Sequence, residues 1–339
     1  MEKLQLTWFF LWALLWIVYF ALDGFVLGCG LIMNFISKNE NEKRAVISSI
    51  GPFWEANEVW LITAGGATFA AFPSAYADMF SFFYLPLFFI LLGLIVRGVS
   101  FELRSKFTNK KIWDISIFIG SILPSLLFGI IFGNFWAALN ITANGYEGGI
   151  IGLFSLSGFI TAFLFLSFFI MNSMLWLLYR FEGEMVKRIY SKLIHFWRLS
   201  FIAFGLFLLF LPFRKNPNFN QNSLNGYMMI FFYVLAFLSF VFIRNTLKKG
   251  KISLSFISSL LAIVFFLGGS FCASYPNIIA SINKGFNISI FNCSSSYYTL
   301  KIMTIVAIIF VPLVISYQLW IYSLLNYKIN PEKEETLSY

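Results

Sequence analysis

The sequence predicts an all-α polytopic membrane protein of about nine transmembrane helices, with its N-terminus outside and its C-terminus cytoplasmic. Three observations predict this class. Of the 339 residues, 59% are hydrophobic and only 12% are charged, where a soluble domain carries about 25% charged residues. A mean hydropathy of +0.81 describes more apolar surface than a water-soluble shape of this length can hide. Apolar runs long enough to span a bilayer, about 20 residues each, recur along the chain. The basic residues also alternate between successive connections, as the enrichment of Lys and Arg in cytoplasmic loops requires.

The runs fall at 7–35, 52–72, 76–101, 113–137, 150–179, 195–213, 226–246, 252–274 and 298–326. The first is too long for a signal peptide and has no small-residue cleavage site after it, so it is read as a retained helix. Pro52 is read as a first-turn proline, where a missing N–H costs nothing, and Pro73 as the end of that second helix. The connections are polar and short, among them "SKNENEKR", "ELRSKFTNKK", "NITANGYEGG", "RKNPNFNQNSLNG" and "KKGK". None can hold a soluble domain, so residues 1–339 form one membrane domain.

Counting nine helices from an outside N-terminus leaves Lys3, Arg214, Lys215, Lys284 and Lys301 in outer segments and the rest of the 24 basic residues in inner ones. A miscounted helix early in the chain would scramble this division. The net charge of +9 is therefore a matter of topology and not of nucleic-acid binding.

In this topology Asp23 lies in the inner half of the first helix, Glu55 and Glu58 in the first two turns of the second, and Arg97 and Glu102 near the end of the third. Charges in lipid cost about 2.5 kcal/mol upward and face the protein interior, one another or a water path. Two readings follow. Arg97 neutralises an acid and pins the first three helices, or an acid whose pKa is raised by burial takes protons from the cytoplasm. Glu102 is also close enough to the interface to be plain surface. The small residues of "TAGGATFAA" (63–71) read as helix packing, because no Lys or preceding strand makes a phosphate loop of them. Asp23, Gly24, Gly28 and Gly30 read as a close-packed face around one acid, and Trp54, Trp60 and Trp113 as interfacial anchors.

The single histidine, His195, falls at the start of the sixth helix beside Lys192 and Arg198 and reads as interfacial. One boundary histidine builds neither a multi-haem centre nor a Ser-His-Asp triad. No metal site and no catalytic residue is expected on this chain. Cys29, Cys272 and Cys293 show no metal spacing. Cys272 and Cys293 both fall near the outer face, where a disulfide is geometrically conceivable.

The motifs "DGF" (23–25), "W-x-x-NEVWL-x-TAGGA-x-FAAFP" (54–73) with Tyr76, "RGV-x-FE-x-R" (97–104), Trp113-Asp114 and "FGN" (132–134) together make the chain resemble subunit II of the cytochrome bd-type quinol oxidases. The match is specific over about the first 140 residues. Beyond them it rests on hydropathy, loop placement and "SYPN" (274–277). The resemblance implies a heterodimer in the bacterial inner membrane, sometimes with a small accessory subunit and always bathed in lipid. Subunit I then carries haem b and haem d and oxidises quinol, while subunit II carries no haem, supports assembly and contributes to a cytoplasmic proton path. Some members hold a structural quinone in subunit II. The acid of the path falls at Glu55, within "WEAN" where the family often has "WDGN", with Glu58 and Asp23 as its neighbours. Arg97 and Glu102 are assigned to charge pairing, and Trp60 to an oxygen route or to packing. Two rivals stand beside this reading: a secondary transporter using the same acids, and a pure assembly scaffold.

Overall fold

The structure, a computed structural model, describes residues 1–213, 222–283, 285–325 and 327–332. Arg214, Lys215, Lys284 and Lys333, used in the charge count, lie outside the described residues. The long helices are α1 (Glu2–Ile36), α2 (Glu40–Ala71), α4 (Tyr84–Leu103), α5 (Lys110–Ala137), α7 (Leu156–Arg180), α8 (Glu184–Phe210), α9 (Leu224–Lys248), α10 (Ile252–Ser274) and α12 (Tyr297–Leu324). Short helices α3 (Pro73–Phe82), α6 (Gly149–Leu153) and α11 (Ile290–Cys293) sit between them. Two small antiparallel pairs, β1 (Ile141–Thr142) with β2 (Gly145–Tyr146) and β3 (Asn277–Ile279) with β4 (Ile288–Ser289), cap one end of the bundle.

Among the described residues, eight helices are long and apolar enough to cross a membrane. The exception among the nine long helices is α2, which spans 32 residues and is diluted by its own charges. It still runs from one end of the bundle to the other. Near its start, Lys43 Nζ meets Asp114 Oδ2 of α5 at 2.7 Å; at its finish, Ala71 O accepts from Ser295 N at 2.8 Å. Other contacts fix the ends of the remaining helices. Gln5 donates to Ser294 Oγ at 2.6 Å and Leu139 N to Ala280 O at 2.9 Å at the end that the charge rule assigns to the outside. Glu182 N donates to Ile329 O at 3.0 Å and Lys192 Nζ to Phe35 O at 2.8 Å at the opposite end.

Several expected boundaries are corrected. The second helix begins at Glu40, well before Pro52, because Asn39 caps it by accepting from Glu42 N at 2.9 Å. Pro52 is thus inside α2. It lacks one helical donor, and α2 continues through it; one residue past the carbonyl it leaves, Trp176 Nε1 of α7 donates to Ser49 O at 3.2 Å and ties α2 to α7. The third span is not one helix: α3 and α4 meet at Phe83, which has φ −109 and ψ 23. The fifth is likewise broken before Leu156, where Ser155 Oγ accepts from Gly158 N and starts α7. The sixth starts at Glu184, ahead of the expected 195, because its first turns are polar and escape a hydropathy window.

The core is aromatic. Phe20 of α1 meets Phe128 and Phe132 of α5 at 5.2 and 5.0 Å and Phe165 of α7 at 4.9 Å. Gly28 lets α1 lie directly on α7: a Cβ there would stand 2.0 Å from Phe169 O. By contrast α12 has only Leu300 and Gln318 buried. Polar pins attach it, such as Trp8 Nε1 donating to Leu300 O at 3.1 Å and to Thr304 Oγ1 at 3.0 Å.

Candidate functional site

The intramembrane charges of α1, α2 and α4 converge. Arg97 Nη2 lies 3.0 Å from Asp23 Oδ2 and 2.6 Å from Glu58 Oε1. The side chains of Asp23 and Arg97 are fully buried, and that of Glu58 is 21% exposed. One guanidinium nitrogen thus ties three helices together. Asp23 Oδ1, Arg97 Nε and Arg97 Nη1 are buried and have no hydrogen-bond partner, so the site has polar capacity left over.

Glu55 and Glu102 stay out of this trio. Both are exposed, and among the described residues neither forms an ion pair. Glu102, read as a charge-pairing group or as plain surface, is not among the partners of Arg97, since five residues turn a helix by about 140°; the acid that Arg97 holds beside Asp23 is Glu58. Glu55 lies one turn from Glu58 on the outer side of α2. It begins an outward stripe with Val59, Ile62 and Phe69, of which Ile62 is 72% exposed.

Beside the trio lies an amide network that the sequence did not suggest. Asn57 Nδ2 donates to Leu22 O at 3.0 Å. Its Oδ1 accepts from Tyr322 OH at 2.9 Å and from Gln318 Nε2 at 3.3 Å. Trp60 Nε1 donates to Gln318 Oε1 at 2.7 Å. Trp60 is therefore buried and bonded to α12, and its reading as an interfacial anchor is corrected. The one visible signal was a lone Gln318 within a long apolar run.

The small-residue run divides into two faces. Ala64, Thr68 and Ala71 are buried, with Thr68 Oγ1 accepting from Trp12 Nε1 at 2.8 Å. Gly65 and Gly66 would place a Cβ in open space. Packing within the chain explains the first set and not the two glycines.

A second charge network closes the same end of the bundle, where α2 and α5 start. Arg104 holds Glu40 by two hydrogen bonds of 2.7 and 3.0 Å, and its Nε meets Asp114 Oδ1 at 2.6 Å. Lys110 Nζ reaches Glu40 Oε1 at 3.0 Å, and Arg188 pairs with Glu42. Burial works to raise the Glu40 carboxyl, but hydrogen bonds from Arg104 and Lys110 outweigh it and hold the group below its ordinary value. Asp114 stood in a quoted motif, but its partners were not legible.

His195 is exposed on α8. All three cysteines are free. Among the described residues no group of three or more His, Cys, Asp or Glu could hold a metal ion. Between α1, α2, α3, α4 and α5 lies an apolar cavity of about 320 Å³, lined by Trp16, Leu61, Thr68, Met79, Leu94 and Phe128 among others.

Three comparisons bear on this arrangement. The sequence model of the family described as "Cytochrome bd terminal oxidase subunit II" matches residues 4–325. The "Cytochrome bd ubiquinol oxidase subunit 2" of Bacillus subtilis (strain 168) is 31% identical over 344 residues, covering 99% of this chain and 100% of that protein. The "Cytochrome bd-I ubiquinol oxidase subunit 2" of Escherichia coli (strain K12) is 28% identical over 359 residues, covering 95% of this chain and 94% of that protein. The solved structure of bd oxidase from Geobacillus thermodenitrificans contains a chain of the same fold, with a TM-score of 0.78 at 16% identity over 95% of this chain and 99% of that one.

Proposed function

The chain belongs to the cytochrome bd terminal oxidase subunit II family, and from that premise we propose that it is the haem-free second subunit of a quinol oxidase in a bacterial inner membrane, leading protons from the cytoplasm toward the oxygen-reducing haem of subunit I. One observation carries this reading: acids become progressively more buried from Glu55, exposed on α2, through Glu58 to the fully buried Asp23. Two carboxylates face the single guanidinium of Arg97, which leaves one negative charge in excess. A low-dielectric interior favours cancelling such a charge with one proton. The trio is then a place where a proton is held, and Glu55 is the group that delivers it. Haem b and haem d belong to the partner, since the only histidine of this chain, His195, is exposed and offers no buried axial imidazole.

The partner lies against the outward face of α2. That face carries Glu55, the apolar Val59, Ile62 and Phe69, and the open Gly66, a surface on which a neighbouring membrane helix can sit closely. A structural quinone would fit the apolar cavity of about 320 Å³, which takes an apolar ring and tail against Trp16, Leu61 and Phe128. The transporter reading would need helices interrupted at the midplane, whereas α1 and α2 continue unbroken past their acids.

The test is Glu55→Gln in the intact complex. Oxygen reduction should slow by about tenfold or more, the scale on which loss of a positioned proton-transfer group is felt, with the reduced-minus-oxidised haem spectrum unchanged. Loss of the haem d band together with activity would make the acid structural and defeat the proton assignment.

A further inference from the structure

A second buried arginine lies well along the chain from the trio. Arg180, the last residue of α7, is 1% exposed. Its Nη1 donates to Leu325 O beyond the end of α12. Its Nε and Nη2 are buried and have no partner. Among the described residues no carboxylate pairs with it. The guanidinium carbon instead sits over the rings of Tyr327, Trp176 and Phe53 at 4.9, 5.4 and 5.7 Å. Rings offset part of a desolvated cation's cost and Tyr327 also hydrogen-bonds the guanidinium, but Nε and Nη2 stay without a partner. A buried charge of this kind calls for a counter-charge.

Space for one is present. Arg180 forms part of the wall of a cavity of about 290 Å³ between α7, α10 and α12, with Trp176, Tyr179, Ser253, Phe256, Ile257 and Tyr322. Ile257, on its rim, is 50% exposed, so the cavity opens sideways between helices, where lipid stands. The free Nε–Nη2 edge of a guanidinium matches two oxygens of one phosphate or carboxylate. The remaining wall is mostly aromatic and apolar, and suits a chain attached to that headgroup.

We propose that this cavity is a phospholipid site, in which Arg180 binds the phosphodiester through Nε and Nη2 and an acyl or glycerol segment lies against Phe256 and Ile257. The position agrees with the inner-leaflet depth that the charge rule assigns to the end of α7, and basic pockets between helices on that side bind lipid headgroups. Lys251 caps α10 nearby. Lys328 lies over the ring of Tyr179, at 5.5 Å. Lys328 thus places further positive charge beside the cavity wall.

The experiment uses the purified complex, depleted of lipid in mild detergent. It is titrated with phosphatidylglycerol, with diacylglycerol and with inorganic phosphate, and followed by native mass spectrometry and thermal unfolding. Phosphatidylglycerol should bind and raise the unfolding midpoint, while diacylglycerol, which lacks the phosphate, should not. Ile257→Trp fills the mouth and leaves Arg180 and its bond to Leu325 in place; it should weaken phosphatidylglycerol binding by about tenfold or more, the loss expected when charge-assisted hydrogen bonds go. Arg180→Gln should do the same if it folds, and Ile257→Trp keeps the test decisive if it does not. Unchanged binding in Ile257→Trp overturns the proposal. So does an equal shift from inorganic phosphate alone, which would make the ligand a free anion. If phosphatidylglycerol binds only after residues 333–339 are removed, the counter-charge is this chain's own acidic end and the lipid assignment falls.

Discussion

At the scale of single residues, the decisive feature is the uneven sharing of one guanidinium. Arg97 Nη2 contacts Asp23 and Glu58 at once. Removing the arginine leaves two carboxylates together in a buried site, whereas neutralising one acid leaves a balanced pair. Arg97→Gln should therefore cost about 3–5 kcal/mol, the range for breaking a buried pair, and Asp23→Asn distinctly less. Thermal unfolding of the two variants in the same detergent checks the order. Equal midpoints would mean that water or a partner group already compensates Arg97. Asn57 works differently, as a neutral joint between α1, α2 and α12. Its Nδ2 donates to Leu22 O and its Oδ1 accepts from Gln318 and Tyr322, so Asn57→Leu should loosen α12 without touching the charge balance.

At the scale of elements, Gly28 of α1 and the pair Gly65 and Gly66 of α2 behave oppositely. At Gly28 the obstacle to a Cβ is the backbone oxygen of Phe169 at 2.0 Å, which cannot rotate away. Gly28→Ala must push α1 from α7 and should destabilise the chain by about 1–3 kcal/mol, as overpacking does. At Gly65 and Gly66 nothing lies within 4 Å. Alanine there should leave the fold of this chain intact, or favour α2 by up to about 1 kcal/mol per residue through helix propensity. The comparison is made by unfolding the three variants side by side. A loss at Gly65→Ala or Gly66→Ala equal to that at Gly28→Ala would refute the assignment of an open face. The long α2 follows the same logic. Its N-cap at Asn39 and its passage through Pro52 make one continuous helix of what a hydropathy scan divides into a loop and a span.

At the scale of the whole molecule, the ends are closed by charge and the middle by aromatic packing. The network of Glu40, Arg104, Lys110, Asp114 and Lys43 joins the starts of α2 and α5 to the finish of α4. Because Glu40 is held below its ordinary value, its share of stability is complete above the unfolded glutamate pKa of about 4.3. That share is lost as pH falls through the lowered native value. Thermal stability should be flat on this account near neutrality and drop on the acid side, and Glu40→Gln should flatten that drop. The effect is modest, since Glu40 is 42% exposed and salt screens it. A variant with an unaltered acid limb would show that the network does not couple to folding.

The sequence by itself determined the class and, through its motifs, the family, and it picked out the set of acids that share one end of the first helices. The class and the placing of the acids follow from composition, spacing and charge, which act locally and survive without knowing who touches whom. It also singled out Asp23, Glu58 and Arg97 as candidates, because an ionisable group in lipid is costly wherever it points. Only the tertiary structure decided which acids share Arg97, that Glu55 and Glu102 face outward, that Trp60 and Gln318 bond across helices far apart in sequence, and that Arg180 lines a cavity with two donors to spare. The physical reason is rotation. A turn of 100° per residue separates Glu55 from Glu58 and Arg97 from Glu102, and the face each helix presents is fixed by its neighbours, which no single run of residues encodes.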